Sequence, residues 1–217
     1  MIDLAWINPG ILEVYYGPMK AGKGEELIYR LKPLMRTSTH PFIAFKPSCD
    51  DRDQGIIYSR AHTGITIPAI KIPEYNPKKI LEYITPRVKV VVLDETQFFH
   101  KGIVGVVDKL LKQDKNVIIA GLDLDFRGES FGYMFKFIQL ADYQKQLYAN
   151  CDYVEKDVKG YITFKCTSKA SRTQRLVNGL PADYNDTLLV TGDTVGVTHK
   201  DISYEPRCEK HHFVDKK

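Results

Sequence analysis

Residues 11–35 read ILEVYYGPMKAGKGEELIYRLKPLM and place a glycine-rich segment between an apolar stretch and an amphipathic one. The first six of these residues are apolar and β-branched enough to form a buried strand. Beyond the glycines, apolar residues recur at the spacing of one helix face, at Leu27, Ile28, Leu31 and Leu34. The stretch therefore predicts a strand, a tight turn and a helix in direct succession.

The turn matches the phosphate-binding motif G-x-x-x-x-G-K-[ST] at every fixed position except the last. Gly24 stands where a serine or threonine hydroxyl group normally contacts Mg²⁺. Backbone N–H groups at the start of a helix, together with Lys23, can hold triphosphate oxygens. The alternative is a glycine-rich turn that binds nothing. On the first interpretation, the phosphate-binding residues are Gly17, Pro18, Met19, Lys20, Ala21, Gly22, Lys23 and Gly24.

Further strands and helices alternate along the chain as far as residue 150. The pattern predicts strands at PFIAFKP (41–47), VKVVVLDE (88–95) and NVIIAGLDLDF (116–126), and helices at NPKKILEYI (76–84) and GIVGVVDKLLKQ (102–113). Asn76 is the expected N-cap of the first of these helices, and Pro77 its first residue. Apolar strands that alternate with helices are typical of a parallel sheet covered on both faces. We therefore expect an α/β domain over residues 1–150 and a small loop-rich domain over residues 151–217, where glycines and short polar segments replace the alternation.

Two acidic residues, Asp94 and Glu95, end the predicted strand VKVVVLDE. In open parallel sheets, the carboxyl ends of the strands face the ligand crevice. In enzymes with a phosphate-binding loop, an acid at this edge holds Mg²⁺ and a neighbouring acid can act as a base. A solvated strand end is the alternative, but the phosphate-binding motif upstream favours a catalytic pair.

Three of the four cysteines lie beyond residue 150, and one of them has the C-x-x-H spacing of half a zinc site. A Cys₃His zinc site is predicted at Cys151, Cys166, Cys208 and His211. The residues between the first two cysteines predict a β-hairpin. His212 is an alternative fourth ligand, while Cys49 stands apart as a plain thiol. Unrelated buried thiols are the alternative to a metal site.

The overall composition is that of a chain able to bury a sizeable core. Of its 217 residues, 43% are hydrophobic and 27% are charged, and the formal net charge of +4 is spread along the chain. Such a balance is too mild to indicate a nucleic-acid partner. No apolar run approaches the ~20 residues of a membrane span, and the N-terminus lacks the features of a signal peptide. We expect a cytoplasmic protein without membrane or nucleic-acid partners.

Five stretches, in order along residues 11–212, together resemble the second class of thymidine kinases, the family of the human cytosolic enzyme and of most bacterial and poxviral ones. They are GPMKAGKGEEL, DETQFF, GLDLDFRGESFG, ASRTQRLVNG and YEPRCEKHH. The resemblance implies a phosphate-binding α/β domain and a small zinc-ribbon-like domain with a lasso loop that closes over the nucleoside. It also implies transfer of the ATP γ-phosphate to the 5′-hydroxyl of thymidine, a requirement for Mg²⁺, structural Zn²⁺, feedback inhibition by dTTP and a homotetramer.

The resemblance also implies roles for individual residues. Glu95 is expected to be the general base and Asp94 the acid on the Mg²⁺ side. Lys23 and Arg52 would neutralise phosphate charge, which makes Glu95, Arg52 and Lys23 the catalytic set. The nucleoside-binding residues would be Met19, Phe98, Leu122, Phe126, Phe131, Thr173, Gly192 and the lasso residue Tyr204.

This chain departs from the family pattern at Gly24, at the widely separated first cysteine pair, and in a lasso that is longer than usual. Two alternatives to a thymidine kinase follow: a kinase for another or modified pyrimidine deoxynucleoside, and a non-catalytic sensor that binds dTTP. Because a water can replace one protein ligand of Mg²⁺, Gly24 is expected to weaken an enzyme without abolishing it. On this view Gly24→Ser should raise activity, most clearly when Mg²⁺ is scarce.

Overall fold

The structure is a computed structural model that describes residues 10–36, 41–50, 55–58, 64–188 and 202–214. Within these ranges it has three α-helices, α1 (Lys23–Met35), α2 (Gly102–Lys112) and α3 (Met134–Leu140). Short 3₁₀ helices lie at Pro77–Tyr83, Thr96–Phe98 and Glu209–His211. The first eight strands are β1 (Leu12–Tyr16), β2 (Phe42–Pro47), β3 (Ile56–Tyr58), β4 (Thr66–Pro68), β5 (Ile70–Ile72), β6 (Val90–Leu93), β7 (Asn116–Gly121) and β8 (Tyr143–Gln146). The remaining strands are β9 (Ala149–Asn150), β10 (Val154–Lys156), β11 (Ile162–Lys165), β12 (Lys169–Ala170), β13 (Arg172–Val177), β14 (Leu180–Pro181) and β15 (Ile202–Arg207).

A six-stranded parallel sheet in the order β5-β2-β6-β7-β1-β8 forms the centre of the molecule. The pairing places Tyr16 opposite Gly121 and Leu93 opposite Ile119. Three neighbouring strands therefore end at nearly the same level, and the residues that follow them share one edge. The predicted α/β fold with a parallel sheet is confirmed.

Each face of the sheet is covered by helices because alternate residues of its strands point to opposite sides. Along β7, Val117 and Ile119 pack into a core with α2 and α3, whereas Ile118 and Ala120 pack into the core beneath α1. The apolar helix face expected of α1 is buried, at Leu27, Ile28, Leu31 and Leu34. The hairpin of β3 and β4 contributes Ile57 and Ile67 to the same side.

Two predicted elements differ from those observed. The segment after Asn76 is a 3₁₀ helix rather than an α-helix, and the Asn76 side chain makes no capping hydrogen bond. The strand predicted over 116–126 ends at Gly121. Further along, the Asp125 carboxylate accepts the N–H groups of Arg127 and Glu129 and so stabilises a turn rather than an extended strand.

Beyond Gln146 the chain forms small antiparallel sheets. The hairpin of β10 and β11 lies between Cys151 and Cys166, as the sequence predicts. Strand β13 pairs with β14 on one side and with β15 on the other, which brings the C-terminal segment back to the body of the protein. None of the described helices combines the length and apolar character needed to cross a membrane.

Candidate active site

The glycine loop leaves β1 at the carboxyl edge of the sheet. Gly17 has a φ of +146°, and a Cβ atom there would lie 2.1 Å from the carbonyl oxygen of Leu147. Only glycine allows this approach. The Lys23 ammonium group donates to the carbonyl oxygens of Gly17 (3.0 Å) and Pro18 (2.8 Å), so the loop wraps around a positive charge. Helix α1 begins at Lys23, and the N–H groups of its first turn point out of the helix and add positive potential.

Gly24 lies where α1 meets the end of β3. A Cβ atom on Gly24 would lie 2.6 Å from the carbonyl oxygen of Tyr58, a backbone atom that cannot turn aside. The structure therefore removes the physical basis for expecting serine to improve this position. Glycine is required here for packing, whatever it costs in Mg²⁺ contacts.

The acid pair lies at the same edge as the glycine loop. The Asp94 N–H donates to the carbonyl oxygen of Phe45 (2.9 Å), which continues the sheet ladder by one residue. Glu95 then adopts φ +49°, a left-handed conformation that is uncommon for a residue other than glycine. Backbone strain of this kind clusters at functional sites. The Gln97 side chain donates to a Glu95 carboxylate oxygen at 2.6 Å and so fixes its orientation.

Neighbouring charges of both signs act on the pKa of Asp94. Burial and the neighbouring charge of Glu95 raise the pKa of Asp94 to about 7, while the positive charges of Lys46 and Lys23 act in the opposite direction. The Lys46 ammonium group lies 2.7 Å from Asp50, and the two side chains are only 1% and 2% exposed. A buried ion pair therefore lies beside the acidic edge of the sheet.

Two further candidate functional residues in this region, Asp123 and Gln97, are not among those predicted from the sequence. Asp123 follows β7 at the same edge, and burial raises the pKa of its carboxyl group while the charge of Lys23 lowers it. The rule that identified Asp94, an acid just after a buried strand, applies equally to Asp123. Gln97 joins two strand ends, because its side-chain oxygen accepts the Leu122 N–H (3.0 Å) while its amide group donates to Glu95. Nothing in the sequence distinguishes this glutamine from an exposed one.

Aromatic side chains line the loops above the edge. The rings of Phe98 and Phe131 meet edge to face with centroids 5.4 Å apart. Phe126 is 4% exposed and lies beneath the Arg175 guanidinium group, whose central carbon is 4.0 Å from the ring centroid. Leu122 directly follows β7, and its N–H group donates to the Gln97 side chain, which in turn contacts Glu95.

The C-terminal part of the chain reaches the same edge. The Thr173 hydroxyl group accepts the N–H of Met19 in the glycine loop (3.0 Å). Tyr204 lies on β15 opposite Arg175, which donates to its hydroxyl group at 3.0 Å. Two predicted site residues, Arg52 and Gly192, lie outside the described residues.

A cavity of about 510 Å³ opens on the outer side of the glycine loop. Lys20, Gly22 and the first turn of α1 form one wall, and the chain after β8 forms the other. In that second wall, the Lys169 ammonium group lies 3.5 Å from the centroid of the Tyr148 ring. The cavity therefore combines a flat aromatic surface with positive charge beside the loop.

The four predicted zinc ligands converge in the second half of the chain, and all four are buried. The ligand atoms of Cys151, Cys166, Cys208 and His211 all lie within 4.8 Å of one another. The separations are 3.4 Å from Cys208 Sγ to His211 Nδ1, 3.8 Å from Cys151 Sγ to the same nitrogen, and 4.0 Å between the sulfur atoms of Cys166 and Cys208. A tetrahedron with metal–sulfur bonds of about 2.3 Å has edges of about 3.8 Å, so the cluster matches the size of a Zn²⁺ site. Hydrogen bonds from Ser168 lower the pKa of Cys166 to about 6, and burial raises that of Cys151.

Of the two adjacent histidines, His211 is the one that joins the cysteine cluster. The His212 ring instead contacts the carbonyl oxygen of Phe126 through Nε2, at 2.8 Å. Burial lowers the pKa of His212, which favours the neutral ring with its proton on Nε2. His211 thus belongs to the cysteine cluster, whereas His212 contacts the loop that carries Phe126.

Comparisons with known proteins agree with this geometry. A family model for thymidine kinase matches residues 10–212. A thymidine kinase of the Onion yellows phytoplasma (strain OY-M) is 39% identical over 205 residues, which cover 94% of this chain and 88% of that protein. A solved structure of the large terminase from a thermophilic bacteriophage aligns with 80% of this chain and 51% of its own at 9% identity. Its TM-score of 0.40 is too low to bear on the fold.

We expect Gly24→Ser to destabilise the protein by about 1–3 kcal/mol, the usual effect of overpacking a close contact. Displacement of the β3 backbone should also slow any reaction that depends on the glycine loop. Gly105→Ser is the matched control, since Gly105 lies in α2 and a Cβ atom there meets nothing within 4 Å. Thermal unfolding and kcat/KM for ATP at several Mg²⁺ concentrations test both variants. A Gly24→Ser protein that is faster than the parent at low Mg²⁺ would restore the hydroxyl-replacement account.

Proposed function

This chain belongs to the thymidine kinase family, and we propose that it transfers the γ-phosphate of ATP to the 5′-hydroxyl group of thymidine. The observation that carries the proposal is the shared edge of the sheet. There a glycine loop wrapped around Lys23 lies at the same edge as Glu95. The backbone of Glu95 has a left-handed conformation, and Gln97 orients its carboxylate group. Phosphoryl transfer needs this combination of positioning, charge neutralisation and a base within reach of the attacking hydroxyl group.

In the proposed reaction, Glu95 accepts the proton of the 5′-hydroxyl group as its oxygen bonds to the γ-phosphorus. The bond from that phosphorus to the β,γ-bridging oxygen breaks, and ADP leaves. Gln97 donates to one carboxylate oxygen of Glu95 and so orients the carboxylate group for this step. Lys23, Arg52 and the backbone N–H groups of residues 20–24 stabilise the charge that spreads over the phosphate oxygens.

The residues at the edge suit a hard cation such as Mg²⁺, which prefers oxygen ligands and keeps several waters. Asp94 is the proposed residue on the Mg²⁺ side, and Asp123 is a second carboxylate that the charge of Lys23 also reaches. Bound Mg²⁺ would neutralise phosphate charge during transfer. Gly24 contributes no ligand, so water takes the place of the usual hydroxyl group.

The nucleoside would bind among the aromatic residues above the acid pair. The proposed pocket consists of Met19, Phe98, Leu122, Phe126, Phe131, Thr173, Gly192 and Tyr204. Apolar walls discriminate weakly between bases that differ by a methyl group. Deoxyuridine should therefore be accepted alongside thymidine. The cavity beside Tyr148 suits the adenosine end of ATP, because it offers an aromatic surface next to the phosphate loop.

The cysteine cluster is a proposed structural zinc site within a domain of residues 151–217. All four ligands are protein side chains and are buried, which is typical of structural rather than catalytic zinc. The site would fix strands β13 and β15, which carry Thr173 and Tyr204, and the segment that carries His212 against the sheet edge. It would supply stability to a region with only small sheets of its own.

Feedback inhibition by dTTP, a homotetramer and a cytoplasmic location are proposals that rest on the family alone. A kinase for another or modified pyrimidine deoxynucleoside is a second candidate, since the longer lasso carries part of the pocket. A dTTP-binding sensor is a third, favoured only by Gly24.

An ADP-release assay across a panel of nucleosides tests the proposed function. We expect thymidine to be the best substrate and deoxyuridine to be slower by roughly tenfold, the effect of one methyl group in a hydrophobic pocket. A strong preference for a different nucleoside would favour the second candidate. If no nucleoside is phosphorylated and dTTP still binds tightly, the protein is a sensor.

Glu95→Gln should lower kcat for thymidine by at least ~10²-fold, as expected for loss of a general base. The substitution preserves the size of the side chain, so binding of thymidine and ATP should change little. Asp108→Asn is the matched control, because this acid lies on α2 in an exposed pair with Lys112. Single-turnover kinetics and thymidine titrations measure the two steps separately. A Glu95→Gln protein with most of its kcat would require a different base.

Cys166→Ser should remove the bound metal and loosen the region beyond residue 150, because structural zinc contributes on the order of 10 kcal/mol to folding such units. Elemental analysis should find one zinc per chain in the parent protein and in Cys49→Ser, the matched control at the cysteine outside the cluster. Limited proteolysis should cut Cys166→Ser faster. Zinc-free parent protein that is fully folded would contradict the proposed site.

A further inference from the structure

Arg175 is among the largest fully buried side chains in the described part of the chain, and it is 1% exposed. It lies on β13, where its neighbour across the sheet is Tyr204 of β15. A buried guanidinium group is costly unless hydrogen bonds replace its water. The protein must therefore supply the hydrogen-bond acceptors that water would otherwise provide.

The guanidinium group donates to three oxygen atoms from two separate segments. Nε donates to the Tyr204 hydroxyl group at 3.0 Å, Nη1 to the carbonyl oxygen of Thr187 at 2.5 Å, and Nη2 to that of Leu188 at 2.8 Å. These segments flank residues 189–201, which lie outside the described residues. Arg175 thus joins the chain just before that segment to the strand just after it.

The flat face of the same group lies on Phe126, with the central guanidinium carbon 4.0 Å from the ring centroid. Such stacking of arginine on an aromatic ring is strongest where water is excluded, as it is here. The backbone of Phe126 is held separately, by the His212 ring at 2.8 Å. Two residues of the C-terminal part of the chain therefore hold Phe126: Arg175 fixes its ring and His212 fixes its backbone.

We propose that Arg175 is a positioning residue for the nucleoside site, which sets the Phe126 ring and the Tyr204 hydroxyl group relative to each other. This inference rests on the proposed function, which places both residues around the nucleoside. Arg175 acts through them and not on the reacting atoms. A planar group with donors on its rim and an apolar face can serve both neighbours at once, and a lysine ammonium group cannot.

Arg175→Lys tests this role, since it keeps the charge and loses the planar fork. We expect the KM and the Kd for thymidine to rise about tenfold or more, as for loss of hydrogen bonds to a charged group, and the KM for ATP to change less than about twofold. Arg30→Lys is the matched control, because Arg30 is a partly buried arginine of α1 that pairs with Glu13 of β1. It should lower the melting temperature without a selective effect on thymidine.

A double-mutant cycle with Tyr204→Phe separates positioning from general stability. Removal of the Tyr204 hydroxyl group should weaken thymidine binding in the parent protein and have little further effect in Arg175→Lys, because the two groups act as a unit. Additive effects, an unchanged thymidine Kd, or equal rises in both KM values would overturn the inference. If Arg175→Lys does not fold, the Tyr204→Phe variant becomes the test, and an unchanged thymidine Kd in that variant overturns the inference. A parent protein that phosphorylates no thymidine refutes the proposed function, whereas an active parent with a normal Arg175→Lys variant refutes only this inference.

Discussion

Parallel pairing of β1, β7 and β6 is the constraint on which the candidate active site depends. The register sets Tyr16 opposite Gly121 and Leu93 opposite Ile119, so the glycine loop, the aromatic loop and the acid pair leave the sheet at one edge. Each group comes from a different part of the sequence, and the sheet hydrogen bonds bring them together. A site carried on strand ends is held more rigidly than one on free loops.

The C-terminal part of the chain completes this edge through a few direct contacts. Thr173 bonds to the backbone of the glycine loop, His212 to the backbone of Phe126, and Arg175 stacks on the Phe126 ring. The cysteine cluster lies within the same segment, and its ligand His211 directly precedes His212. Loss of the proposed metal should therefore weaken binding at the proposed nucleoside pocket as well as lower local stability.

Much of the fold and the site followed from local patterns in the sequence. The helical spacing from Leu27 to Leu34, the glycine loop before it and the C-x-x-H pair each depend on residues close together in the chain, and each predicted the observed element or cluster. Strand β8, with the polar sequence YQKQ, was missed because it lies at the sheet edge and carries no apolar signal.

Contacts between distant segments account for the other failures. The obstacle to a side chain at Gly24 is the carbonyl oxygen of Tyr58, which no motif places there. Arg175 likewise resembles any polar residue of an alternating strand, and only the folded structure shows its contacts with Phe126 and Tyr204. Residue type and spacing identify a loop or an acid pair, but they do not show which backbone lies against it.

The central claim is that Glu95 receives the proton of the nucleoside hydroxyl group. A crystal structure of the protein with thymidine and a non-hydrolysable ATP analogue measures this most directly. We expect the 5′-oxygen to lie within about 2.6–3.2 Å of a Glu95 carboxylate oxygen and in line with the γ-phosphate held by the glycine loop. A thymidine whose 5′-oxygen faces Asp123, or lies beyond reach of any carboxylate, would contradict the assignment of Glu95 as the base.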